Sequence, residues 1–393
     1  MKKTFFLPLA IMLGFQVSGS AQHLDPKLNQ VLLQSKQGAV VELPGFLSQP
    51  RPSIEYEKVV LPGPQYLISD DPEYIRVPEA IAFREPVQPG TVRLYVYNVN
   101  GVKEPQKMDR KIAALIKNTG KRDMHLRMLK YSSQAPSTNY FKVGKEGLAD
   151  YFASQPEEKI RTIKPGQAIL IDEKHEKQVV KYDELVHGFY EFVVDQPGEI
   201  SVLQTDPKKQ STKALSQITE VLPPKSKSGA GRGVFGVSNY HVITQGVLDT
   251  KNGPAEMIMA DGKKDPWVVG HESVSGQQAK LAGNYGVLYN VELKWKSSDG
   301  KGLALVTWNS RADDNQWCGA MAATMVMDKG KFDGGIIQLP SDRLNTKTAP
   351  EAVLIQVFPP AANGEEQTIR FTYSPPGASC LPTPLIFIPV DMK

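Results

Sequence analysis

Thr91-Val92-Arg93-Leu94-Tyr95-Val96-Tyr97-Asn98-Val99-Asn100-Gly101 decides the fold. Val92, Leu94 and Val96 alternate with Arg93, Tyr95 and Tyr97, which puts one set on each face of a β-strand, and Asn100-Gly101 is a turn dipeptide. The pattern continues outward. Ile112, Ala114 and Ile116 repeat it, and Asn118-Thr119-Gly120 turns the chain into Met124, Leu126 and Met128, alternating with His125, Arg127 and Leu129. Further strands are expected at 161–163, 168–171, 185–194 and 200–204, with turns at Lys164-Pro165-Gly166-Gln167 and Asp195-Gln196-Pro197-Gly198 and a helix over 145–154. About seven strands punctuated this way predict an Ig-like β-sandwich over residues 91–206.

A second strand-rich unit is expected over 233–393, with ten candidate strands at 240–244, 256–260, 267–269, 286–295, 302–308, 321–327, 335–339, 352–358, 368–373 and 384–388. In Val291-Glu292-Leu293-Lys294-Trp295 the apolar residues share one face, the mark of a half-buried antiparallel strand. The expected architecture is all-β, an Ig-like sandwich followed by a larger sandwich of jelly-roll type. Between them, 207–232 combines Lys208, Lys209, Lys225, Lys227 and Arg232 with Ser, Pro and Gly, the composition of a solvated linker. Residues 23–90 carry Pro44, Pro50, Pro52, Pro62, Pro64, Pro72, Pro78, Pro86 and Pro89, so only 25–34 can be helical, with Asp25 as cap and Pro26 in the first turn. The rest is expected to run extended over the next domain.

The first 22 residues read as a secretory signal: Lys2 and Lys3, an apolar stretch from Phe5 to Phe15, then Ser18-Gly19-Ser20-Ala21. The apolar run is too short to span a bilayer and Pro8 interrupts it, so no transmembrane segment is expected and the location is secreted, extracellular or envelope-associated. Without Lys2 and Lys3 the chain has 44 basic residues against 42 acidic, a formal charge of about +2 rather than +4. A nearly neutral, dispersed surface argues against nucleic acid as a partner. At 40% hydrophobic residues the chain is not disordered, and two cysteines among 393 residues do not make a disulfide scaffold.

Cys318 and Cys380 are the pairing available in an exported protein, and a bridge between their turn-like surroundings is expected to close a long loop. Two unpaired thiols, or a cysteine nucleophile, are the alternatives. Among six histidines none forms a metal motif, so neither a metal nor a cofactor is expected. His187 and Glu191 lie on one face of a strand about 13 Å apart, too far for one ion, and read as sheet-surface residues. His125 falls on the polar side of its strand and His175 in a charged loop. His241 and His271, with Asp261, Asp265 or Glu272, could form a polar cluster in the second unit. Asp249-Thr250-Lys251-Asn252-Gly253 lacks the spaced acids of a calcium loop and reads as a turn. All four tryptophans lie in the second unit: Trp295 and Trp308 are in phase with core neighbours, leaving Trp267 and Trp317 as candidates for ligand stacking.

Several segments resemble a group of secreted, mostly uncharacterised two-domain β-sandwich proteins of Gram-positive bacteria, sometimes carrying a copper amine oxidase N-terminal stalk-type module. These are Ile116-Lys117-Asn118-Thr119-Gly120-Lys121-Arg122-Asp123, Ile163-Lys164-Pro165-Gly166-Gln167, Leu185-Val186-His187-Gly188-Phe189-Tyr190-Glu191, Gly283-Asn284-Tyr285-Gly286-Val287-Leu288-Tyr289 and Pro375-Pro376-Gly377-Ala378-Ser379-Cys380-Leu381-Pro382. The group's Arg-Gly-Gly-x-x-x-Gly stretch is represented only loosely, by Arg311-Ala312-Asp313 and Cys318-Gly319. The resemblance implies an envelope or extracellular protein and supplies no catalytic residues.

The expectation from sequence is therefore an exported, non-catalytic protein that binds or organises envelope or matrix material, protein or polysaccharide. The alternative is a secreted hydrolase acting on cell-wall or environmental polysaccharide.

Overall fold

The computed structural model describes residues 24–47, 49–225, 231–308, 323–341, 351–379 and 381–393, without the side chain of residue 351. The expected signal segment, Trp317, Cys318 and Cys380 lie outside the described residues, as does 226–230 of the expected linker.

Helix α1 (Pro26–Gln34) begins where the sequence places it: Asp25 Oδ1 accepts from the Lys27 amide at 2.7 Å and Pro26 takes the first turn. Five strands follow in the proline-rich region: β1 (Val40–Glu42), β2 (Tyr56–Val60), β3 (Gln65–Ser69), β4 (Tyr74–Ile75) and β5 (Ala80–Val87). Next come β6 (Gly90–Asn100), β7 (Lys111–Asn118), β8 (Met124–Ser137), α2 (Tyr140–Ala153), β9 (Ile160–Ile163), β10 (Ala168–Leu170) and α3 (Glu173–Glu176). β11 (Leu185–Val194), β12 (Gly198–Thr205) and α4 (Ser211–Gln217) lead to the second half. There the strands are β13 (Arg232–Phe235), β14 (Asn239–Thr244), β15 (Leu248–Asp249), β16 (Ala255–Met259), β17 (Val269–Glu272), β18 (Gln277–Lys280) and β19 (Leu288–Lys296). The last six are β20 (Gly302–Trp308), β21 (Ala323–Met327), β22 (Gly335–Leu339), β23 (Glu351–Phe358), β24 (Gln367–Tyr373) and β25 (Thr383–Val390).

Among the described residues the strands form four sheets, and the fold is mostly β. A four-stranded sheet, β10-β7-β12-β5, shares one apolar core with a nine-stranded sheet, β18-β17-β13-β3-β6-β11-β8-β9 with β4 beside β6. Phe83, Ile116 and Val202 meet Leu94, Met128 and Phe192 there. A five-stranded sheet, β1-β23-β20-β25-β16, packs with a seven-stranded one, β2-β14-β19-β24-β21-β22 with β15 beside β19. Met257, Leu305 and Phe387 meet Leu293, Trp295 and Phe371 in that core.

The two sandwiches exchange strands. β1 pairs with β23 (Val41 opposite Ala352) and β2 with β14 (Lys58 opposite Val242), so the start of the chain completes the second sandwich. Conversely β13 pairs with β3 (Val234 opposite Leu67), which brings β13, β17 and β18 onto the larger sheet of the first. Residues 23–90 therefore do not run as an extended overlay. Their prolines fall mostly between short strands, and Pro86 sits in β5, an edge strand, where a missing amide costs no ladder bond.

β6 explains why alternation alone underestimates burial. Val92, Leu94 and Val96 face the first core, while Tyr95 and Tyr97 enter the core shared with the second sandwich, so both faces are covered. Helix α2 supplies part of that cover and starts five residues earlier than expected, because Asn139 Oδ1 caps it by accepting from the Lys142 amide at 3.1 Å. Its glycines permit close packing: a Cβ on Gly147 would stand 2.2 Å from His187 Cε1, and one on Gly144 2.7 Å from the Gly377 carbonyl oxygen. By contrast β19 is half-buried as read. It pairs antiparallel with β24, and parallel with β14 on its other side.

Candidate functional site

The histidines do not assemble as a site. His187, expected on a sheet surface, is fully buried: its ring meets Tyr95 edge-on at 5.0 Å and lies beneath Gly147, and burial lowers its pKa to about 3. It is neutral core. His175, expected in a charged loop, is buried in α3, where its Nδ1 lies 3.3 Å from the Tyr190 hydroxyl. Asp172 anchors that cluster by accepting from Tyr131 and Tyr190 at 2.7 Å each. His125 is exposed and meets Asp195 at 2.8 Å.

His241 and His271 stand on different sheets. His241 lies on the outward face of β14 with Nε2 3.2 Å from Glu292 Oε2, and Glu292 also accepts from Arg370 at 2.8 Å. His271 is exposed on β17, opposite Val234 and Gln278. The nearby carboxylates are engaged elsewhere: Asp265 pairs with Lys58, and Glu272 with Arg232 at 3.1 Å. Among the described residues no group of three His, Cys, Asp or Glu side chains could hold a metal ion. Trp267 is half-buried, its indole against Gly262, whose φ of +71° leaves room that a Cβ would fill at 2.5 Å from the ring. Trp295 is core, at 1% exposure, while Trp308 is only half-buried. The Asp249–Gly253 stretch is a turn, with Asp249 accepting from the Lys251 and Ser298 amides.

Polar groups converge instead where the chain leaves the first sandwich's large sheet for the second sandwich. A cavity of about 430 Å³ opens there, lined by Asp70, Asp71 and Glu73 from the β3–β4 loop, Tyr74 at the start of β4, Lys225 and Gly231 before β13, and Ala282 and Tyr285 before β19. We call it the seam pocket. Its backbone is pinned: the Asp70 amide donates to the Gly231 carbonyl at 2.7 Å, the Lys225 amide to Asp71 Oδ1 at 2.8 Å, and the Val99 amide to the Glu73 carbonyl at 2.7 Å. The Tyr66 hydroxyl donates to the Tyr285 carbonyl. Gly231 has φ +75°, and a Cβ there would meet Asp70 at 3.0 Å, so glycine is required twice over.

Asp70 shows part of its surface to the cavity, yet dense protein surrounds it. Burial, reinforced by Glu73 and Asp71, holds its carboxyl well above the usual range. Burial also raises Glu73, although Lys225 and Arg76 pull it down. Behind them Tyr97 is 3% exposed, its hydroxyl has no hydrogen-bond partner among the described residues, and Tyr95, Asp70, Glu73 and Tyr285 are close enough to act on it electrostatically. Sequence reasoning missed this site because the residues come from three loops. The available signal was Ser69-Asp70-Asp71-Pro72-Glu73-Tyr74, a dense acidic run in a stretch read as an extended, proline-rich lead.

A pH dependence follows from Asp70. An acid whose folded pKa is raised keeps its proton where the unfolded chain has lost it, so it lowers stability progressively as pH rises above about 4. Asp70→Asn is expected to be more stable than the parent at pH 7, by about 1 kcal/mol, with the gain vanishing near pH 4. Urea midpoints at both pH values measure it, and an equal effect at both contradicts a buried, protonated Asp70.

No family model matches the chain, and no curated protein matches it. Solved structures align only weakly. AerE from Microcystis aeruginosa is 9% identical, covering 79% of this chain and 97% of its own, at a TM-score of 0.12. The 7S globulin of Momordica charantia is 7% identical over 79% and 72%, at 0.13. Lactobacillus farciminis oxalate decarboxylase in its formate complex is 9% identical over 85% and 87%, at 0.16. Likeness at this level does not establish a shared fold. Among the described residues no helix is long and apolar enough to cross a membrane.

Proposed function

We propose that this is an exported, non-catalytic protein that binds or organises cell-envelope or extracellular-matrix material, and that the seam pocket is where it does so. The observation that carries the reading is the pocket itself: carboxylates beside Tyr74 and Tyr285, on a pinned backbone between two packed sandwiches. A half-buried carboxyl group whose surroundings favour its proton at a cost to stability is better explained by a ligand than by folding. In this proposal an Ig-like first sandwich and a jelly-roll-like second one form the scaffold, and the leader at 1–22 delivers it.

One observation favours a second reading. Asp70 as a raised acid beside Glu73 is the kind of pairing that acid–base hydrolysis of polysaccharide uses. Incubating the purified protein with isolated cell-wall and matrix polymers separates the two. The binding reading predicts co-sedimentation with no release of soluble fragments. Fragment release that disappears in Asp70→Asn supports the hydrolase instead, and neither binding nor release overturns both.

A further inference from the structure

Helix α2 belongs by sequence to the first sandwich and bolts it to the second. Lys145 Nζ donates to the Pro340 carbonyl, just past β22, at 2.8 Å, and Thr324 Oγ1 on β21 donates to the Lys145 carbonyl at 2.6 Å. On the first sandwich, Tyr151 stacks on Phe189 with ring centroids 4.1 Å apart. Gly144 and Gly147 have no room for a Cβ, the one against the Gly377 carbonyl and the other against the His187 ring.

His187 lies under this helix, and its ring is fully buried. Tyr95 and Tyr97 meet it edge-on at 5.0 and 6.1 Å, and neither Nδ1 nor Nε2 has a hydrogen-bond partner among the described residues. A neutral imidazole carries one N–H and an imidazolium two. Protonation there would add a second orphaned donor and an uncompensated charge, both costly away from water.

Nothing packed around the ring offers a counter-charge. β6 presents Tyr97 opposite it and β8 presents Gln134, while residues 375–379 carry no ionisable side chain. On α2, Asp150 accepts from Gln134, and Lys142 pairs with Glu146 at 3.7 Å on the exposed side. Further along β11, Glu191 is taken by Arg93 and Tyr151. His175 stands with Tyr190 on the other face of β11, and its charge would only repel a second one.

We infer that His187 is the trigger of an acid-sensitive latch: protonation of its ring lifts α2 from the junction of the two sandwiches and uncovers Tyr95, Tyr97 and Phe189. This goes beyond the binding function proposed above and does not depend on it. The neutral ring stabilises the closed form fully above the ordinary histidine value of about 6.5, and that contribution is lost progressively as pH falls towards the folded value of about 3.

Hydrogen exchange of the full mature chain at pH 7 and pH 5, expressed as protection relative to unprotected amides, tests it. Amides of α2 are expected to lose about twentyfold in protection at the lower pH. They should then be at least about tenfold less protected than those of β12, which open only with the whole fold. In His187→Phe, which keeps an aromatic edge and cannot take a proton, the loss should shrink to less than about threefold. His187→Leu serves if the larger ring does not fit beneath Gly147. Protection of α2 unchanged between the two pH values overturns the latch, as does a loss that persists in the folded variant. Exchange of α2 at the same rate as β12 makes the opening global and overturns it too.

Discussion

Arg93→Met is expected to destabilise the protein by about 3 kcal/mol, because it removes a buried, four-bonded guanidinium and strips the charge partner from the half-buried Glu191 carboxylate at the junction of the two sandwiches. Arg93 lies on β6 at 2% exposure. Its Nε and Nη2 donate to Glu191 Oε2 on β11 at 3.0 and 2.8 Å, and its Nη1 donates to the Ser238 carbonyl at 2.8 Å and Asn239 Oδ1 at 2.9 Å. Tyr151 on α2 donates to the same Glu191 oxygen at 2.8 Å. One guanidinium thus ties the first sandwich, the helix and the start of β14. The loss is read from denaturation midpoints. Adding Glu191→Gln should recover part of it, since the orphaned charge is then gone. A loss below about 1 kcal/mol would place this pair among exposed ion pairs and remove the tie.

Trp295→Ala should cost a similar amount, about 3–5 kcal/mol. The indole is 1% exposed and fills the second core between the seven- and five-stranded sheets. Truncation leaves a large cavity that short, well-paired strands cannot collapse to fill. Because β2 at one end of that sheet comes from the start of the chain, the mutation should loosen residues 56–60 as well. Hydrogen exchange at β2, β14 and β19 measures this, and protection unchanged at β2 contradicts the exchanged-strand pairing.

Trp295 was legible in the sequence because β19 has one wet face, so a period of two reports burial directly. The same logic located β6, β7, β8 and β11, and the Asp25 cap located α1. It failed where burial comes from a distant segment. Nothing near Tyr97 or His187 announces that α2 and the 375–379 loop will cover them, and strand exchange makes that cover non-local. The proline-rich lead was misread for a related reason: prolines between short strands look like prolines in an extended arm. The seam pocket was illegible because Asp70, Lys225 and Tyr285 are far apart in sequence and converge only once β13 has joined β3.

If the seam pocket is the binding site proposed above, Asp70 couples stability to binding. The most direct test compares parent and Asp70→Asn for binding to purified envelope polymer at pH 7, alongside stability. Opposite changes are expected: the variant melts later and binds at least tenfold more weakly, since the group that costs stability is the one that holds the ligand. A variant that binds as tightly as the parent contradicts it.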